Sequence, residues 1–173
     1  MIRPATLEDA ARLAEIHIAS WQAAYRDLLP ADFLAGLSDE LEGRTAQWQD
    51  WLGIESEHRK VLVGVADEVV GFAHFGPSGD KDLKASQVGE LYAMYVDPAY
   101  YRQGWGSQLM DAAFAEMRGS GFVEGSLWVM TANDAARSFY ESHGWEPDGK
   151  SADQCLGITI PAVRYRAKVD QSA

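Results

Sequence analysis

Gly104-Trp105-Gly106, with Arg102 and Gln103 before it and Ser107 after it, is the stretch of this chain best suited to holding an anion. Glycines let successive backbone N–H groups converge. A helix expected over Gln108–Arg118 adds its unpaired first-turn amides and the positive end of its dipole. A diphosphate matches that arrangement. A dinucleotide fingerprint would need a third glycine after Gly106 and a P-loop would need Gly-Lys-Ser/Thr, and neither is present. Asn133 and Tyr140 form a second polar pair. They are seven residues apart, so on a helix they lie roughly 10 Å apart along the axis and share one face, where one ligand can touch both. Plainer roles also fit: a tight turn before a helix for the glycines, an N-cap for Asn133 and a partly buried core tyrosine for Tyr140. Taken together, the two polar groups at helix starts point to a protein that binds a coenzyme and transfers a group.

Those residues need elements to position them. Glu90–Val96 reads as a strand leading into the glycine turn, and its period of two puts Glu90, Tyr92, Met94 and Val96 on one face. Val123–Met130 reads as a second strand, followed through Thr131-Ala132-Asn133-Asp134 by a helix that ends near His143, with Gly144 as its C-cap. Ala136, Phe139 and His143 make that helix's core-facing stripe. Thr6-Leu7-Glu8-Asp9 starts a helix running from about Leu7 to Tyr25, and further helices lie between Pro30 and Leu52. Lys60–Ala66 and Val69–Phe75 form a hairpin around Asp67-Glu68, and the last strands fall near Trp145 and over Val163–Ala167. The expected class is α/β of the α+β kind, a mixed, mostly antiparallel sheet flanked by helices. His17, Trp21 and Tyr25 recur at i, i+4 and i+8, an aromatic wall or equally a core stripe.

Composition bounds the rest. With 173 residues, 47% apolar and 24% charged, the chain reads as a single domain over residues 1–173. No apolar run approaches 18 residues and no basic region precedes an apolar one at the N-terminus, so the expectation is a cytoplasmic protein with no membrane partner. Cys155 is the only cysteine, which excludes an internal disulfide and reads as a spectator thiol; no metal-ligand cluster stands out. A formal net charge of −11 argues against nucleic acid as a partner and favours approach of a cation.

The residues from Tyr101 to Gly106 resemble the Gln/Arg-x-x-Gly-x-Gly/Ala loop of the GNAT superfamily of N-acetyltransferases. Asn133 through Trp145 resembles the family's Asn-x-x-Ala-x-x-Phe-Tyr-Glu-x-x-Gly-Phe helix, with Asn133, Ala136, Phe139, Tyr140, Glu141 and Gly144 matching. Ile2–Thr6 and His17–Arg26 are similar to a bacterial branch of the same superfamily that acts on small amines. Tyr101 departs from the pattern, since the loop usually opens with Gln or Arg. The resemblance implies acetyl-CoA as cosubstrate and a splayed gap between the Glu90 and Leu127 strands for its pantetheine arm. In that picture Met94, Tyr95 and Val96 face the arm, with the Val96 amide at the thioester oxygen. Arg102, Gln103, Gly104, Trp105, Gly106 and Ser107 cradle the diphosphate, Trp105 acting mainly in packing, and Asn133 completes the coenzyme set.

An alkylammonium titrates near pKa 10, so a base must remove a proton first. Glu90 is the candidate, more so because some relatives carry a glutamate where this chain has Trp128; a solvated strand-end carboxylate fits the position equally well. Tyr140 serves the departing sulfur by partial proton donation, full transfer being uphill by roughly 2 kcal/mol in unperturbed terms. His17, Trp21, Tyr25 and Tyr92 would line the acceptor side, and an aromatic wall beside acidic groups suits a polyamine or other small cationic amine. Protein N-termini are a second acceptor class. A catalytically silent acyl-CoA sensor and a dinucleotide oxidoreductase are the readings from other classes, and self-association as a homodimer is left open.

Overall fold

The computed structural model describes residues 1–169. They build a seven-stranded sheet in the order β1-β2-β3-β4-β5-β7-β6, with helices between the strands. The chain divides into two compact units, one of residues Met1–His74 with Ala93–Ala113, the other of Phe75–Tyr92 with the chain from Phe114 onward.

In the first unit, β1 (Ile2–Pro4) pairs antiparallel with β2 (Lys60–Val65), from Ile2↔Gly64 to Pro4↔Leu62. Three residues are too few to give a sequence signal, so β1 is not among the expected strands; the open edge of β2 recruits it. A 3-10 turn, Leu7–Asp9, then leads into α1 (Ala10–Ala24). The helix start is fixed by Asp9, which accepts both ends of the Arg3 guanidinium at 2.8 and 2.9 Å and the Thr6 N–H at 2.7 Å. Between Pro30 and Leu52 lie α2 (Ala31–Gly36), a 3-10 turn and α3 (Leu41–Leu52). β3 (Val69–Pro77) follows β2 across a tight turn in which the Ala66 N–H donates to the Glu68 carbonyl. Leu13, Ile16, Val63 and Phe72 pack around Trp48, whose indole meets the Phe72 ring edge-on at 4.9 Å.

The second unit is organised by β4 (Val88–Val96) and β5 (Glu124–Met130), which run parallel with registered pairs from Val88↔Glu124 to Glu90↔Ser126. Gly89 and Gly125 are partners in that register and share a face. A Cβ on Gly89 would stand 2.9 Å from the Phe122 ring, and one on Gly125 2.8 Å from the Trp145 indole. These glycines let two aromatic rings come close to the strand backbones, and Phe114 stacks on Trp145 at 5.5 Å. α4 (Trp105–Gly119) and α5 (Asp134–Ser142) precede and follow β5. None of α5's residues is fully buried, so Ala136, Phe139 and His143, expected to face the core, are only half-covered. α5 is tied instead through Tyr165, whose hydroxyl donates to Glu141 at 2.7 Å and accepts from Arg137 at 2.9 Å.

The chain closes with β6 (Glu146–Cys155) and β7 (Thr159–Lys168), antiparallel to each other, with a bulge between Pro147 and Ser151. β6 is longer than the segment expected near Trp145. Its sequence, EPDGKSADQC, has no apolar alternation because it is an exposed edge strand, and its last residue, Cys155, is an exposed free thiol.

Candidate active site

In the first unit the end of β4 is held from several sides. The Val96 carbonyl accepts the Ser20 hydroxyl at 2.9 Å, and Asp97 accepts Arg12 at 2.6 Å while capping the Pro98–Tyr100 turn through the Ala99 N–H. The chain then turns into α4 by way of two left-handed residues, Arg102 at φ 63° and Gly104 at φ 83°. Left-handed steps just ahead of a helix turn consecutive N–H groups toward a common point, the geometry of an anion cradle. That observation is what makes the loop from Arg102 to Ser107 fit a diphosphate. Arg102, Gln103 and Gly104 are exposed, and Trp105, Gly106 and Ser107 half-buried. The Trp105 indole lies against Gly64 of β2, where a Cβ would come within 3.0 Å of its ring. The side chain therefore packs on the sheet.

Tyr95 points the other way from Met94 and Val96. Its ring stacks on His17 at 4.9 Å and its hydroxyl accepts the Trp21 indole N–H at 2.9 Å, with Tyr25 against Trp21 at 4.8 Å. The expected aromatic wall exists as a cluster, but Trp21 and Tyr25 keep only 8% and 6% exposure. Burial, with a smaller contribution from the Arg44 charge, lowers the His17 pKa to about 3, so its imidazole is neutral at physiological pH. Burial likewise holds the Tyr95 phenol protonated well above its ordinary range.

In the second unit Glu90 stands at the last registered pair of β4 and β5. Its Oε1 accepts the Ser78 hydroxyl at 3.3 Å and the Gly79 N–H at 3.4 Å, and its Oε2 has no hydrogen-bond partner among the described residues. Burial and the nearby Asp80 carboxylate raise its pKa, opposed by the Gly79 and Ser78 hydrogen bonds and by Arg164. One oxygen fixed, one oxygen open and a raised proton affinity together describe a carboxylate placed to take a proton. Tyr92, next on the same face, donates from its hydroxyl to the Pro77 carbonyl at 2.5 Å.

Asn133 is the N-cap of α5, its Oδ1 accepting the Ala136 N–H at 3.1 Å. Tyr140 is half-buried two turns later with its ring edge-on to Trp145 at 6.2 Å. Sequence reasoning missed the groups behind Glu90. The Trp128 indole N–H donates to Asp80 at 3.0 Å, and the Arg164 guanidinium, buried on β7, bonds Asp80, Asp82 and Asp148 at 3.2, 2.8 and 2.7 Å. The available signal was Arg164 itself, a charge inside the apolar run of β7 that demands partners.

A strand glutamate whose pKa is raised, a glycine turn into a helix and an Asn-capped helix carrying a tyrosine follow one another along the chain. Residues 18–145 match the model of the acetyltransferase (GNAT) family. The chain belongs to the GNAT family. Across 94% of this GNAT chain and 89% of the relative, it is 30% identical to YuaI of Bacillus subtilis, an uncharacterized N-acetyltransferase. The fold matches that of the PaiA N-acetyltransferase from Thermoplasma acidophilum, solved in complex with coenzyme A, at TM-score 0.70 and 21% identity over 97% of this chain and 98% of that one. It matches YncA from Salmonella typhimurium, solved with its cofactor acetyl-CoA, at TM-score 0.66 and 22% identity over 100% and 95% of the two chains. This GNAT protein is accordingly an acyltransferase, an acetyl-CoA-dependent N-acetyltransferase by family. Among the described residues no group of three or more His, Cys, Asp and Glu side chains could hold a metal ion, and no helix is long and apolar enough to cross a membrane.

Proposed function

We propose that this protein, as one acetyltransferase domain in the cytoplasm, acetylates a small cationic primary amine such as a polyamine, with Glu90 as general base and Tyr140 as proton donor to the departing sulfur. The observation that carries the reading is the state of Glu90: one oxygen tied to Ser78 and Gly79, the other open, and a pKa raised by burial and Asp80. An alkylammonium loses its proton to Oε2 and the neutral nitrogen becomes the nucleophile. Acetyl-CoA supplies the acetyl group as an activated thioester. The backbone from Arg102 to Ser107, with the Arg102 side chain, binds its diphosphate, and Asn133 orders the start of the helix that carries Tyr140. Met94 and Val96 offer backbone to the pantetheine arm, and the Val96 amide faces the thioester oxygen.

A net charge of −11 favours approach of a cation, and a neutral His17 does not repel one. Tyr92 and His17 are partly exposed while Trp21 and Tyr25 are buried, which favours the first two as acceptor-side residues.

Thiol release from acetyl-CoA against a panel of polyamines, other amines and peptides tests the reading. Expected is acceptor-dependent release on polyamines that falls by about 100-fold in Glu90→Gln and about 10-fold or more in Tyr140→Phe. Coenzyme binding without release on any acceptor would favour a silent acyl-CoA sensor, and release on peptides alone would replace the small amine with protein N-termini.

A further inference from the structure

Behind Glu90 lies a polar assembly that the reaction as described does not use. Ser78, Gly79 and Asp80 follow directly on β3, and the Asp80 N–H donates back to the Ser78 hydroxyl oxygen at 3.2 Å. That hydroxyl in turn donates to Glu90. The Asp80 carboxylate is gripped by Trp128 of β5 and Arg164 of β7, which are themselves register partners. Arg164 keeps 4% side-chain exposure and reaches Asp82 and Asp148 as well, so it is neutralised by three carboxylates rather than by Asp80 alone. The assembly is therefore a clamp with one projecting end, the Ser78–Asp80 loop, and that end touches one oxygen of Glu90.

From this geometry we infer that Asp80 is a positioning residue for Glu90: anchored by Trp128 and Arg164, it fixes the loop that binds Oε1 and places a negative charge beside the carboxylate that must accept a proton. The inference rests on Glu90 being the base. Charged groups near this assembly are Lys81, Asp82 and Lys84 on the loop that carries Asp80, Glu124 on β5, Asp148 and Lys150 on β6, and Arg164 and Arg166 on β7. Asp82 and Asp148 pair with Arg164, Lys150 lies 3.9 Å from Asp82, and Arg166 pairs with Glu124. Asp80 and Arg164 are the two whose charges bear on the Glu90 carboxyl, in opposite directions. Removing the Asp80 charge subtracts the repulsion and leaves the attraction, so Glu90 should give up its proton more readily and be a weaker base.

The test compares wild type with Asp80→Asn, Asp82→Asn and Glu90→Gln. Asn at position 80 keeps an acceptor for Trp128, and Asp82→Asn loses an ion pair to the same Arg164 without removing a charge next to Glu90. In Asp80→Asn the acidic limb of kcat/KM should move to lower pH, kcat on the high-pH plateau should fall about threefold to tenfold, and KM for acetyl-CoA should stay within about twofold. The titration midpoint of the Glu90 carboxyl, followed by carbon NMR, should move the same way. Asp82→Asn should leave limb and midpoint in place. An Asp80→Asn enzyme with unmoved limb and midpoint overturns the inference, as does an equal movement in Asp82→Asn. If Glu90→Gln keeps wild-type kcat while the NMR midpoint still falls in Asp80→Asn, the base assignment is overturned and the action of Asp80 on Glu90 stands.

Discussion

A carboxylate that is good at taking a proton is a poor contributor to stability when ionised. Glu90 has a folded pKa above its ordinary value of 4.5, so the folded state binds its proton more tightly than the unfolded chain does. The stability this provides is present below about pH 4.5 and is lost as pH rises through the raised value. At pH 7 the ionised side chain is a net cost, and Glu90→Gln, which keeps an acceptor for Ser78 and Gly79, should raise Tm. Melting curves from pH 7 to pH 4 check this, the advantage shrinking toward the acid end. His17 carries the opposite linkage. Its pKa falls from 6.5 to about 3 in the folded state, so the unfolded chain takes up the proton first and stability drops as pH falls below about 6.5. His17→Gln should flatten the decline of Tm between pH 7 and pH 5, whatever its effect at neutral pH. As candidates, Glu90, Tyr140 and Arg102–Ser107 are legible in the sequence because family motifs or strand alternation pick them out. Asp80 and Arg164 are not, because the contact joins residues 84 positions apart and depends on how β7 returns beside β5.

Among the elements, β4 and β5 carry the tightest constraint. Their facing glycines exist because two rings occupy the space that side chains would take, and Trp145 is 1% exposed and cannot retreat. Gly125→Ala should therefore destabilise by about 1–3 kcal/mol through overpacking, against the modest stabilisation that replacing a strand glycine by alanine otherwise brings. A urea midpoint shift at unchanged m-value would record it. Neither glycine announced itself in the sequence, since a strand glycine reads equally as a bulge or a close approach. The strongly patterned elements were readable: the hairpin of β2 and β3, the apolar β5 and the amphipathic α1 all fall close to their expected places. β1 and β6 were not, one for shortness and the other because an exposed edge strand needs no apolar face.

For the whole molecule, the formal charge of −11 against 15 basic residues sets up a field that favours cations and opposes the coenzyme. Raising ionic strength from 50 to 500 mM shortens the screening length from about 14 to about 4 Å. KM for a polyamine should then rise about twofold to fivefold, while KM for acetyl-CoA falls or holds; initial rates at two salt concentrations separate the two. This is the scale at which composition alone gave a usable expectation, because long-range electrostatics depends on total charge more than on contacts. Cys155, exposed at the end of β6, bears on how turnover is counted. Any reagent that titrates coenzyme A by its sulfhydryl will also titrate one protein sulfhydryl per chain, a fixed stoichiometric baseline. A first turnover releases only that same amount, so a single-turnover burst would be half artefact unless Cys155→Ser is used.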